Sequence, residues 1–424
     1  MFFKKKNLYE KIAGLLLPFL PLALVSGPLL SDLIVIIISI GFLITSYQKN
    51  LWYYYKNIFF YFFFIFWVYL ILNSLFNNFN LNSIRISLSY IRFGIFFIAV
   101  IYLINFDRKI QKNFFLVGFL TILILVLDGF YQYLNGYNIF GFKATLVDGG
   151  YRISSFFGNE LILGSFLSRM FPIFFGLWVL YKVKFNNIIN FIIVLTFILI
   201  EVLIYLSGER TSFFFVNLSS LFMILFFTKK KFLGFIILIL SILSVVIVSV
   251  LDPVSKGRIL NLTKNQIFTE RKVYIFSEVH TGHYTAAYKM FLNNKFFGIG
   301  VGNFRKFCND ELYSARYSCT THPHNTYLQI LAEIGIFGFA FIFFIFILFL
   351  TKVYRHFILI LKGKYLFNDF EISMLSAILV TLWPIIPGGN FFNNWLSIIY
   401  FLPLGFLVSS LNKKYNFIRL SYKN

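Results

Sequence analysis

Apolar residues run along this chain in blocks of about twenty, the length a helix needs to cross a bilayer, with short polar segments between them. Runs such as Phe341–Leu350 are apolar on every position and lack the alternation of a barrel strand, so the blocks predict helices in lipid. Hydropathy sets spans near 12–29, 30–47, 53–73, 85–105, 114–134, 160–181, 188–206, 212–228, 232–250, 326–350, 371–388 and 392–410. One long segment, 251–325, is polar. The pattern therefore predicts an all-α polytopic membrane protein of about twelve spans. Residues 1–250 carry spans one to nine, 251–325 form a loop domain, and 326–424 carry the last three spans.

Composition agrees with this reading: 59% of the 424 residues are apolar and only 13% charged, against about a quarter in soluble domains. A cytoplasmic enzyme and a disordered chain are both excluded. The net charge of +22 would suggest nucleic acid in a soluble protein. Here it follows the rule that cytoplasmic loops of membrane proteins gather Lys and Arg, so no nucleic-acid partner is expected. With the N-terminus inside, the inner segments hold Lys4–Lys6 and Lys11, then Lys49 and Lys56, then Arg108, Lys109 and Lys112. Lys182 and Lys184 follow, then Lys229–Lys231, then Lys352, Arg355, Lys362 and Lys364, and finally Lys413, Lys414, Arg419 and Lys423. The short outer loops carry only Lys143 and Arg152, with Arg210 at a helix mouth. Both termini are thus expected in the cytoplasm and segment 251–325 outside. Met1–Gly27 resembles a secretory signal, but the alternation of charge needs it as the first span.

Within the outer segment, Ser277–Phe291 predicts an amphipathic helix with Ser277, His280, Tyr284, Ala287 and Phe291 on one face. Gly298-Ile299-Gly300-Val301-Gly302 then reads as a tight turn, since no strand–turn–helix unit surrounds it to make a dinucleotide site. Cys308 and Cys319 share this segment and are expected to pair as a disulfide if it faces an oxidising compartment.

Ionisable side chains inside spans are costly and often mark a site. Arg92, Asp128, Glu160, Arg169, Glu201 and Glu333 all fall in the outer half of the predicted membrane or near its middle, with Arg85 and Arg210 at outer mouths. Two readings are open for each residue, ion pairing that fixes helix packing or a polar cavity; the clustering of the set favours a cavity opening outward. A second concentration is Thr320-Thr321-His322-Pro323-His324-Asn325-Thr326-Tyr327-Leu328-Gln329. Pro323 suits a first helical turn, and Asn325, Gln329 and Glu333 continue down one face. His324 would then sit at a helix N-terminus, where the dipole disfavours the imidazolium and leaves a neutral ring able to take a proton. It is either a general base or a capping histidine. A metal site from His280, His283, His322 and His324 lacks ligand spacing, so no metal and no cofactor are expected.

The stretch from His322 to Gly338, His-Pro-His-Asn-Thr-Tyr-Leu-Gln-Ile-Leu-Ala-Glu-Ile-Gly-Ile-Phe-Gly, resembles the motif of the O-antigen ligase and polymerase superfamily. Arg152–Asn159, Ser207-Gly208-Glu209-Arg210 and Phe297–Phe304 fit the same pattern, so the resemblance covers roughly 150–345. It implies a C-type membrane glycosyltransferase that uses neither metal nor nucleotide sugar. Such an enzyme takes a glycan from undecaprenyl diphosphate and joins it, with inversion, to an acceptor at the periplasmic face of the bacterial inner membrane. The acceptor is a lipid A–core sugar for a ligase or another carrier-linked unit for a polymerase. The family's essential histidine falls on His324 and its span-mouth arginine on Arg210; Arg152, His322 and Asn325 stand beside them as substrate-binding candidates. A further family arginine before the glycine turn has no match. His280 or His283 stands nearest, with Arg271 and Arg305 as other candidates. Polymerase is the main alternative to ligase. A lipid-linked glycan transporter is the third, and it would need an internal repeat with paired broken helices that is not found here.

Overall fold

The computed structural model describes residues 7–77, 80–147, 150–261, 264–265 and 276–415. Arg271, Lys4–Lys6, Arg419 and Lys423 lie outside the described residues. The chain is an all-α polytopic membrane protein. Ten helices among the described residues are long and apolar enough to cross a membrane: Leu8–Ser26, Pro28–Lys49, Ile58–Phe76, Leu81–Phe106, Arg108–Asn135, Leu163–Lys184, Asn187–Leu206, Lys231–Leu251, Thr326–Leu361 and Asn394–Asn412. The other two predicted spans fall on shorter helices, Arg210–Phe226 and Asp369–Thr381. Regular non-helical structure among the described residues is one hairpin, Thr145–Val147 against Gly150–Arg152, which the hydropathy pattern did not predict.

Local chemistry sets the helix starts. Asn57 accepts from the backbone N–H of Phe60 at 2.9 Å, Asn186 from Ile189 at 2.8 Å, and Asn368 forms a full capping box with Glu371. Packing then follows apolarity. The helix Ile91–Phe106 is buried on every side from Phe93 to Ile104, so it is the core of the bundle. It lies between Pro28–Lys49 and Asn394–Tyr415, while Asp369–Thr381 packs on Leu163–Tyr181. Lys231–Leu251, by contrast, exposes most of its apolar length and faces lipid.

Helix Thr326–Leu361 is 36 residues long and breaks at Gly335, whose φ of 68° and ψ of −169° are accessible to glycine alone. The break frees two carbonyls for the glycine turn. Ile299 and Gly300 donate N–H groups to the Ala332 and Glu333 carbonyls at 2.9 Å each. The Glu333 carboxylate accepts from the Gly302 and Phe304 N–H groups at 3.0 and 3.2 Å. A Cβ on Gly335 would run into the Phe296 carbonyl. Gly335→Ala should therefore lower the thermal midpoint in detergent, by about 1–3 kcal/mol from backbone strain alone and more from the collision. Gly363→Ala, at the same φ of 68° in open space, is the control whose cost lacks the steric part.

Three of the six ionisable groups in the spans, Arg92, Asp128 and Glu333, are satisfied locally and do not need the expected outward cavity. Arg92 pairs with Asp32 at 3.0 Å. Asp128 accepts from the Ile139 N–H at 2.9 Å and from the Ser155 hydroxyl. Arg169 donates to the Ser165 hydroxyl at 2.6 Å and lies over the Phe215 ring. Glu201 Oε1 and Arg169 Nε are buried without a hydrogen-bond partner among the described residues, Glu333 is held by the glycine turn, and Glu160 is exposed. For Arg92, Asp128 and Glu333, packing is the reading the structure supports.

Candidate functional site at the histidine cluster

Ser277 begins the site. Its hydroxyl caps the helix Glu278–Asn293 and lies 2.7 Å from His280 Nδ1. This helix matches the predicted amphipathic one, but its buried face is Gly282, His283, Ala286, Ala287 and Met290, about one position round from the expected face. It packs along the start of Thr326–Leu361, where Gly282 lets it close on the backbone of Arg316 and Tyr317. Cys308 and Cys319 are joined in a disulfide, closing the loop that leads into the histidine motif.

The motif starts differently from the expected helical first turn at Pro323. The helix begins at Thr326 with Asn325 as its cap; the Asn325 side chain accepts from the N–H groups of Tyr327 and Leu328 at 3.0 Å each. His324 therefore precedes the cap, with a left-handed φ of 55° that non-glycine residues seldom adopt. Such strain persists only where the surroundings impose it, and it is commonest at functional positions.

What imposes it is a segment that sequence reasoning missed. The expected span 371–388 ends as a helix at Thr381, and the chain from Leu382 to Phe391 instead wraps the motif. Gly388 N–H donates to the His324 carbonyl at 2.7 Å, Asn325 Nδ2 to the Pro384 carbonyl at 2.8 Å, and Gln329 Nε2 to Asn390 Oδ1 at 2.7 Å. Phe391 N–H returns to Gln329 Oε1 at 2.9 Å. Pro384, Pro387, Gly388 and Gly389 were the signal available, since such a run breaks a helix. The polar stripe Asn325, Gln329 and Glu333 is thus spent on holding this cradle and the glycine turn.

Four of the chain's five histidines meet here. Ring centroids lie 4.2 Å apart for His322 and His324, 5.3 Å for His283 and His324, 5.7 Å for His280 and His324, and 6.1 Å for His280 and His283. The Gly388 carbonyl can only accept, so the 3.3 Å contact to His322 Nε2 puts the hydrogen there, and His322 Nδ1 accepts from Thr321 at 2.9 Å. His283 Nδ1 and the Tyr284 hydroxyl are buried without a hydrogen-bond partner among the described residues.

Burial, with mutual repulsion between the rings, holds the cluster neutral. His324 is pushed down to about 3, first by burial and then by His322, His280 and His283. His322 and His280 are each pushed to about 4, and His283 is lowered as well, all mainly by burial. Arg210 adds to the lowering at His280, so the span-mouth guanidinium lies within electrostatic reach of that ring. In the unfolded chain these rings would protonate near pH 6.5, whereas in the fold they stay neutral. The fold should therefore lose stability as pH falls from about 6.5 toward about 4 and gain none above 7. Thermal midpoints measured against pH should show this acid slope, and His322→Asn should flatten it.

Arg210 is the first residue of the helix Arg210–Phe226, after a turn in which Gly208 takes φ 69°. Arg152, on the hairpin, reaches the same mouth: its Nη2 lies 3.8 Å from Glu209 and donates to the Leu161 carbonyl at 3.2 Å. Glu209 also accepts from the Gly164 and Ser165 N–H groups at 2.8 and 3.0 Å, tying this mouth to the start of Leu163–Tyr181. The structure thus brings His280, His283, His322 and His324 together, with Arg210 within electrostatic reach of His280, Arg152 at Glu209 beside that arginine in the chain, and Asn325 as the helix cap. Arg305 lies exposed on the short helix Phe304–Phe307, with no contact to the histidines among the described residues. Among the described residues, no group of three His, Cys, Asp or Glu side chains is arranged to hold a metal ion.

This arrangement offers a neutral proton acceptor, unpartnered polar atoms and a fixed cation at one end of a membrane bundle. No curated protein matches the chain. A family model described as O-antigen ligase matches residues 192–343, the stretch from the helix before Arg210 to the middle of the broken helix. The matched stretch contains Arg210 and all four clustered histidines, so the part of the chain that holds the site is similar to O-antigen ligases.

Proposed function

We propose that the protein is an O-antigen ligase-like glycosyltransferase that moves a glycan from undecaprenyl diphosphate to a lipid A–core sugar at the periplasmic face of the inner membrane. The observation that carries the reading is the strained, neutral His324 in a histidine cluster within electrostatic reach of Arg210. The acceptor hydroxyl attacks the anomeric carbon, the bond from that carbon to the diphosphate oxygen breaks, and the hydroxyl proton passes to His324. Attack opposite the leaving group inverts the centre. Arg210 meets the departing diphosphate with its planar fork, stabilising charge that grows in the transition state. Burial keeps the His324 ring neutral and able to take a proton. A diphosphate bound at Arg210 favours the imidazolium, so the base strengthens when the donor is loaded.

The disulfide between Cys308 and Cys319 supports an oxidising, periplasmic setting for the loop domain, as does the basic character of the opposite loops. His283 and Tyr284 supply polar atoms for sugar hydroxyls. Lipopolysaccharide profiling of a deletion strain tests the reaction. Uncapped core with lipid-linked polymer accumulating supports the ligase, and core bearing a single repeat unit overturns it in favour of the polymerase. A reporter fused within Asp252–Cys319 should register as periplasmic and one after Lys231 as cytoplasmic; the reverse result removes the site from its substrates.

A further inference from the structure

A second concentration of charge lies at the other end of the bundle. Helix Leu163–Tyr181 starts beside Glu209 and ends at Tyr181, and helix Asp369–Thr381 ends one residue before the cradle and is capped at its start by Asn368. Tyr181 and Asn368 both line a half-open cavity of about 420 Å³. The volume lies in the range of small-molecule sites.

Arg108, Lys109, Lys112 and Lys184 converge on this cavity. Arg108 and Lys112 are four residues apart on one helical face, a spacing at which like charges repel. All three cations on this helix sit in its first turns, where the positive end of a 28-residue helix adds to their field. Among the described residues no carboxylate is within ion-pair distance of any of the four. The nearby acids are occupied: Asp107 caps the helix through the Lys109 N–H, and the buried Glu371 takes the Asn368 N–H and the Ser410 hydroxyl. The rest of the lining carries apolar Ile104, Leu180 and Phe406 beside polar Gln111, Ser409 and Ser410. Four cations gathered with apolar side chains in one cavity, at the end of membrane helices, match an amphiphile with a phosphate head rather than a soluble anion.

We propose that this cavity binds the headgroup of an anionic phospholipid in the leaflet opposite the histidine cluster, with the phosphate held by Arg108, Lys109, Lys112 and Lys184. The site is separate from the transfer chemistry and does not depend on it. Full-length protein, stripped of lipid in neutral detergent, is titrated with phosphatidylglycerol, phosphatidylcholine or inorganic phosphate. Bound lipid is counted by native mass spectrometry, and the thermal midpoint is followed in parallel. Phosphatidylglycerol should bind and raise the midpoint. The combined Lys109→Gln, Lys112→Gln, Lys184→Gln protein should bind it about a hundredfold more weakly, at about fivefold per cation, while the same three positions changed to Arg should keep it. Lys112→Gln alone, with its about fivefold loss, keeps the test open if the triple variant does not fold. Equal binding of phosphatidylcholine, or unchanged phosphatidylglycerol binding by the Gln variants, overturns the proposal. An equal rise from inorganic phosphate overturns the lipid assignment in favour of a free anion.

Discussion

Replacing His324 should slow glycan transfer by about a hundred- to ten-thousand-fold, the usual contribution of a positioned acid–base group. The backbone at this position dictates which replacement tests the idea. With φ at 55°, alanine adds strain to the loss of the ring, whereas asparagine tolerates the left-handed region and lacks a titratable nitrogen. His324→Asn should therefore keep the parent's thermal midpoint in detergent yet lose transfer, and His324→Ala should lose transfer as well and lower the midpoint. If the histidine served only to shape the turn before the cap, His324→Asn would turn over donor at nearly the parent rate with purified acceptor. That result would remove the base from the mechanism. The neighbouring rings make a graded comparison. His322→Asn removes a repelling neighbour and the bond to the Gly388 carbonyl, so it should alter the acid limb of the rate profile more than its plateau.

The features legible in the sequence were those that depend on local chemistry. The apolar blocks, the glycine turn and the pairing of two cysteines in one segment follow from hydropathy, backbone freedom and composition. His324 and Arg210 could be marked because their motif lies in continuous stretches. What stayed hidden depends on partners distant in the chain. Arg92 finds Asp32 sixty residues away, and Glu333 finds Gly302 across a helix break, so charges that looked like cavity lining are structural fasteners. Leu382–Phe391 reads as the tail of a span because it is apolar, yet its two prolines and two glycines release it to wrap the motif. His280 and His283 were singled out as half of a four-histidine metal set that was set aside and as occupants of a place where an arginine was expected. Their approach to His324 required the packing of Glu278–Asn293 against Thr326–Leu361, which no spacing rule encodes.

Arg210→Lys should cost about a hundredfold in transfer although the charge is kept, because an ammonium cannot offer the paired N–H groups that match diphosphate oxygens. The helix it begins should persist, since the turn before it is set by Gly208 and by Glu209, whose bonds to Gly164 and Ser165 do not involve the guanidinium. The loss should appear in kcat more than in KM if the guanidinium acts on charge that develops as the bond breaks. Joined with His324→Asn, the combined effect should be smaller than the product of the single effects, because once proton removal fails there is less developing charge to stabilise. Fully multiplicative losses would mean that the two residues act in separate steps, with Arg210 as a docking cation for the donor and His324 engaged after it. The assay needs a chelator arm as well. Activity abolished by chelator and restored by zinc would mean that the four histidines serve an ion, and the neutral imidazoles would then be ligands in place of a base.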